Sequence, residues 1–151
     1  MKELAFDKLE ETNGDLKALE PIFMRYSGVS NAVLCGDRCP TKKNLEPYQG
    51  NCDFAAMTQE SLSELAVDDK NALLVGHFDK NVGEGEAFMF VGVSNYRFTK
   101  DQNVTATFKT AVPDAVVTAY VKGEATRLRP DANGVYTVEV VNADAVFVTV
   151  E

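Results

Sequence analysis

Nucleophilic catalysis needs a nucleophile with a base beside it, and for that purpose the chain offers a single histidine and three cysteines. His77 lies inside the apolar run Leu73-Leu74-Val75-Gly76-His77-Phe78. That run reads as a strand, so a place on a sheet face or edge accounts for the histidine without catalysis. Cys35, Cys39 and Cys52 share one irregular segment, and their odd number leaves at least one thiol outside any internal disulfide. In an oxidising compartment a bridge between Cys35 and Cys39, or from either of them to Cys52, is open to the chain. The spacing from Cys35 to Cys39 is not the C-x-x-C of redox sites, and one distant histidine makes a poor fourth zinc ligand. Neither a metal nor a cofactor is expected.

Glycoside hydrolysis needs two carboxylates about 5 to 10 Å apart in a cleft, and with 23 acidic residues chance pairs are guaranteed. Asp79, Glu84 and Glu86 surround a hairpin connection and Asp131 lies in another turn, places where acids ordinarily sit solvated. Asp114, Asp131 and Asp144 offer loop oxygens of the kind calcium takes, but no D-x-D-x-D-G run orders them. Gly83-Glu84-Gly85 is not a phosphate loop, because no helix opening with Lys-Ser/Thr follows it. No catalytic residue is assigned.

Sugar-binding modules stack pyranose rings on exposed aromatic side chains. The chain has no Trp, which leaves Tyr26, Tyr48, Tyr96, Phe98, Tyr120 and Tyr136. Tyr96-Arg97-Phe98 at the end of a strand is the most suggestive group, so Tyr48, Tyr96 and Phe98 are the candidate carbohydrate contacts. The competing reading places all these rings in core or edge positions.

The elements that would position such residues change character along the chain. Residues 3 to 26 carry Leu4, Phe6, Leu9, Leu16, Leu19, Ile22 and Phe23 at about the helical period. Asn13-Gly14 breaks this segment, and Pro21 shortens or kinks its second half. Residues 1–32 are accordingly expected to form a helical connector. Residues 33–70 read as a long irregular loop punctuated by Gly36, Pro40, Pro47 and Gly50, with one short helix over 58–65. From residue 71 onward the pattern is that of an antiparallel β-sandwich of six or seven strands. Strands are expected over 72–78, 87–94, 103–109, 116–122, 135–141 and 145–150, with turns at 81–85, Lys122-Gly123 and Asp131-Ala132-Asn133-Gly134. The fold class is mainly β. Short local turns between strands exclude a parallel βαβ sheet over this half.

Composition bounds the rest. The 151 residues suit one folded unit, and 45% hydrophobic with 25% charged residues is ordinary globular composition. Fifteen basic against 23 acidic residues give a net charge of -8, the wrong sign for neutralising phosphates or for an anionic membrane surface. Nucleic acid and membrane partners are not expected. No apolar run reaches the roughly 20 residues of a membrane span, and Met1-Lys2-Glu3-Leu4-Ala5-Phe6-Asp7 lacks the apolar core of a signal peptide.

The run Leu73-Leu74-Val75-Gly76-His77-Phe78-Asp79, the strand Ala87-Phe88-Met89-Phe90-Val91-Gly92-Val93-Ser94-Asn95 and Val104-Thr105-Ala106-Thr107-Phe108 together resemble the C-terminal β-sandwich of bacterial glycoside hydrolases. The closing segment from Tyr136 to Phe147 is similar to the last strands of such domains. Leu16-Lys17-Ala18-Leu19-Glu20-Pro21-Ile22-Phe23-Met24 resembles the helix that leaves the (β/α)8 barrel of those enzymes, and Gly28-Val29-Ser30-Asn31-Ala32 the crossing segment after it. Residues 36–57 depart from the pattern. The resemblance implies a noncatalytic accessory domain that stabilises or assists a catalytic barrel in its parent chain, in a periplasmic or secreted enzyme. Because the barrel carries that family's catalytic carboxylates, no catalytic residue transfers to this chain. Two other readings compete with this one. An autonomous carbohydrate-binding module would present coplanar exposed aromatics to an oligosaccharide, and an immunoglobulin-like structural or adhesion domain would show only a mixed polar surface.

Overall fold

The computed structural model describes residues 20–36, 38–39, 61–93, 103–141 and 144–151. Within them a short helical turn over 20–23 leads into nine strands: β1 (Tyr26–Cys35), β2 (Leu62–Val67), β3 (Ala72–Lys80), β4 (Glu86–Val93), β5 (Asn103–Thr110), β6 (Val117–Val121), β7 (Glu124–Leu128), β8 (Tyr136–Val141) and β9 (Ala145–Val150). Every strand pairing is antiparallel. The strands form a six-stranded sheet in the order β1-β3-β4-β9-β6-β7 and a three-stranded sheet in the order β2-β5-β8.

Alternation along the strands builds the core. The buried positions Leu73 and Val75 of β3, Phe88 and Phe90 of β4, Val146, Val148 and Val150 of β9, and Val117 and Ala119 of β6 make one inner face. Val104, Ala106 and Phe108 of β5 meet them from the smaller sheet with Tyr136, Val138 and Val140 of β8. Within that layer Phe108 stacks on Tyr136 at 5.3 Å between ring centroids and tilts against Phe90 at 6.0 Å. Gly92 of β4 marks a close approach of the sheets, because a Cβ there would lie 2.9 Å from Val104 and 3.3 Å from Val140.

The expected sandwich over 71–151 is present as the seven strands β3 to β9, but its start is corrected. Strands β1 and β2 precede it and pair into its two sheets, β1 along β3 and β2 along β5. The end of the expected helical connector at 32 and the irregular loop from 33 are therefore replaced by strand through Cys35. The short helix expected over 58–65 is corrected as well, since Leu62–Val67 is strand. Residues 1–19, most of the expected helix, lie outside the described residues.

The turns follow the chemistry of their residues. Lys122 and Gly123, with φ of 51° and 81°, form the two-residue link of the β6–β7 hairpin, as a type I′ turn requires. Asp131 closes the β7–β8 connection by accepting the backbone N–H groups of Asn133 and Val135 on its carboxylate at 2.8 and 2.9 Å. Between β2 and β3, the carboxylate of Asp68 accepts from the side chain of Asn71 at 2.6 Å and from the Thr105 N–H at 3.3 Å. The backbone beyond β1 lies against this turn, Gly36 donating to the Asn71 carbonyl and Arg38 to that of Asp69. A Cβ on Gly36 would come within 2.3 Å of the Asp68 and Asp69 backbone.

Candidate functional site

The inward-facing row of β3 runs Leu73, Val75, His77, Asp79, and only its first two members are apolar. Residues two apart on a strand share a face, so His77 and Asp79 end the row at the mouth of the sandwich. The β3–β4 ladder sets Glu86 opposite Asp79 and Phe88 opposite His77. The imidazole lies parallel to the Phe88 ring, 5.0 Å between centroids and 7° between planes, and is 2% exposed. Its Nε2 is 3.3 Å from Glu86 Oε1 and 3.7 Å from Asp79 Oδ1. One nitrogen and two carboxylate oxygens thus converge within 4.8 Å of one another.

This cluster borders a cavity of about 470 Å³ whose lining includes Ser61, Asp79, Lys80, Glu84, Glu86, Val112 and Glu151. Four carboxylates face one ammonium there, and that ammonium is committed, Lys80 Nζ lying 2.9 Å from Glu151 Oε1. The same bond is the chief reason that the Glu151 carboxyl is held below the ordinary range. Ser61, 2% exposed, has a buried hydroxyl with no hydrogen-bond partner among the described residues. Across the sheet from the cluster, β1 carries a bulge between Gly28 and Ser30, facing Phe78 and His77. A bulge re-aims the side chains around it and is common beside functional sites.

The donors also define what the arrangement can do. An imidazole nitrogen beside two carboxylates suits borderline divalent cations, whereas calcium and magnesium take oxygen ligands. Alternatively, a protonated imidazole here would form a charge-assisted pair with both acids.

Of the candidates read from the sequence, Tyr48, Tyr96, Phe98 and Cys52 lie outside the described residues. Cys35 ends β1 half-buried, and Cys39 is buried in the turn after it, its N–H donating to the Gly36 carbonyl at 3.1 Å. Tyr136 fills the inter-sheet core, while Tyr26 and Tyr120 belong to a cluster on the outer face of the larger sheet. Asp131 and Asp144 use side-chain oxygens on turn backbone. What sequence reading missed is the convergence of His77 with Asp79 and Glu86. The expected turn over 81–85 would pair Lys80 with Glu86. The observed hairpin is one residue tighter, Lys80 donating its N–H to the Gly85 carbonyl, and only that register makes Asp79 and Glu86 ladder partners with His77 one step inward on the same face.

No helix of the described residues is long and apolar enough to cross a membrane. Comparison with protein-family models, with curated proteins and with solved structures finds no match to the chain.

Proposed function

We propose that the chain is a noncatalytic accessory domain of a larger, extracytoplasmic glycoside hydrolase, seated beside its catalytic barrel. The observation that carries this reading is the outer face of the six-stranded sheet. An antiparallel sheet can leave one face to water, yet here Tyr26, Ala87 and Phe147 are buried on that face, with Phe78, Met89 and Tyr120 packed around them. Ile22 and Phe23 cover part of it, Phe23 meeting Phe78 at 5.3 Å and Phe147 at 5.5 Å. These two residues lie in the segment, Leu16 to Met24, that resembles the helix leaving the barrel.

The joint is also pinned through the backbone. Asn81 donates its N–H to the Arg25 carbonyl at 2.8 Å and its side-chain amide to that of Met24 at 3.1 Å. A sandwich fastened this way follows whatever its N-terminal arm is attached to, which is what a stabilising appendage requires.

An antibody raised against the chain, used on cell and culture fractions of its source, should recover a polypeptide much longer than 151 residues that hydrolyses glycosides. Recovery of a native species no longer than this chain would overturn the reading. An NMR titration of the chain with plant and host oligosaccharides should stay silent; localised, saturable shifts around Tyr48, Tyr96 and Phe98 would replace the appendage with a carbohydrate-binding module.

A further inference from the structure

We propose that His77, Asp79 and Glu86 form a binding site for one divalent transition-metal ion of the zinc class. Zinc bonds of about 2.0 to 2.2 Å in a tetrahedron place neighbouring donors roughly 3.3 to 3.6 Å apart. The separations from His77 Nε2 are 3.3 Å to Glu86 and 3.7 Å to Asp79, and the whole donor set fits within 4.8 Å. Small rotations of two carboxylates bring all three onto a single ion.

The scaffold fixes these donors before any ion arrives. Asp79 and Glu86 are register partners on paired strands, and the His77 ring is held flat against Phe88. A site built on strands is more rigid than one built on loops. Three protein ligands would leave a fourth position facing the cavity that Asp79 and Glu86 line, the pattern of a zinc site that holds a water or a ligand.

A second observation points to the same occupant. Ser61, the residue before β2 of the other sheet, is among those lining that cavity, and its buried hydroxyl has no partner among the described residues. Buried hydroxyls are nearly always hydrogen-bonded, and a water on the open position of the ion would supply the bond. The surrounding charge favours a cation too, since Glu84 and Glu151 add to the two ligand carboxylates while Lys80 is turned to Glu151. A nitrogen ligand selects zinc-class ions over calcium or magnesium.

The test uses the full 151-residue chain, labelled with ¹⁵N and stripped with a chelator, titrated with zinc chloride. His77 is the only histidine, so its ring nitrogens report the site without ambiguity. The expected result is a large shift of the Nε2 resonance that saturates at one ion per chain. Asp79→Asn and Glu86→Gln should each weaken binding by roughly tenfold or more, while Glu84→Gln changes it by less than about threefold. Asp79 is largely exposed, so its variant keeps the fold even where a change at buried His77 would not. An unmoved His77 ring at a large excess of zinc overturns the proposal, as does binding that both carboxylate variants leave intact. With cobalt as the probe, an intense thiolate-to-metal absorption would place the ion on the cysteines and likewise refute the site.

Discussion

Tyr26 shows how one buried hydroxyl ties two ends of the chain together. Its phenol donates to Glu151 Oε1 at 3.3 Å, and its pKa is pushed up to about 12, first by burial and then by the charge of Glu151 and the hydrogen bond to it. A group that holds its proton more tightly when folded stabilises the fold below its unfolded pKa of about 10. That contribution is lost as pH rises from about 10 through 12. An ultraviolet absorbance titration of the five tyrosines should therefore include a late step from Tyr26, near pH 12. In Glu151→Gln the late step should move down without reaching 10, because burial remains. A native spectrum in which all tyrosines ionise together near 10 would contradict this packing.

At the scale of elements, the sheets are held apart and in register by particular side chains. Gly92 faces Val104 and Val140 of the smaller sheet with no room for another carbon, so Gly92→Ala should destabilise the protein by about 1 to 3 kcal/mol through overpacking. The midpoint of denaturant unfolding measures it, and an unchanged midpoint would mean that the sheets part more easily than their spacing implies. The strands from Ala72 onward other than β7 were legible because apolar residues recur along them and their turns carry Gly or Asp at most positions of positive φ, Lys122 being the exception. Strand β7, with four of its five residues exposed, offers no such pattern. Strand β2 was not legible. Its register shifts between Ser63 and Ala66, Glu64 takes φ of 53°, and the bulge lets both Leu62 and Leu65 reach the core. Two buried leucines three residues apart look helical when read as a string. Strand β1 hides for a related reason: its bulge leaves Val29 more than half exposed, and between Tyr26 and Ala32 no side chain is buried. The candidate site was half legible, since the residues were noticed as hairpin acids and a strand histidine, but their convergence depends on cross-strand register.

Across the whole molecule, protection is unevenly spread. Among the described residues, strand β7 is an edge strand that pairs with β6 alone, and four of its five residues are exposed. Strands β4 and β9 lie inside the larger sheet, covered on the inner face by the core and on the outer by the cluster around Phe147. Local opening costs least where few apolar contacts are broken. Amide hydrogen exchange should accordingly run fastest in β7 and slowest in β4 and β9, with equal rates in all three pointing to opening only by global unfolding.

The position of β9 has a further consequence, for the order in which the protein comes into being on the ribosome. The last of the nine described strands is not an edge; it slots between β4 and β6. Until residues 145–150 emerge, the larger sheet is two separate halves, β1-β3-β4 and β6-β7, with no ladder joining them among the described residues. Pairing over such long sequence separations is slow to form, and the nascent chain waits with two open edges, the condition under which unfinished sheets aggregate. A chain that stops before residues 145–150 lacks the middle of the sheet rather than its rim.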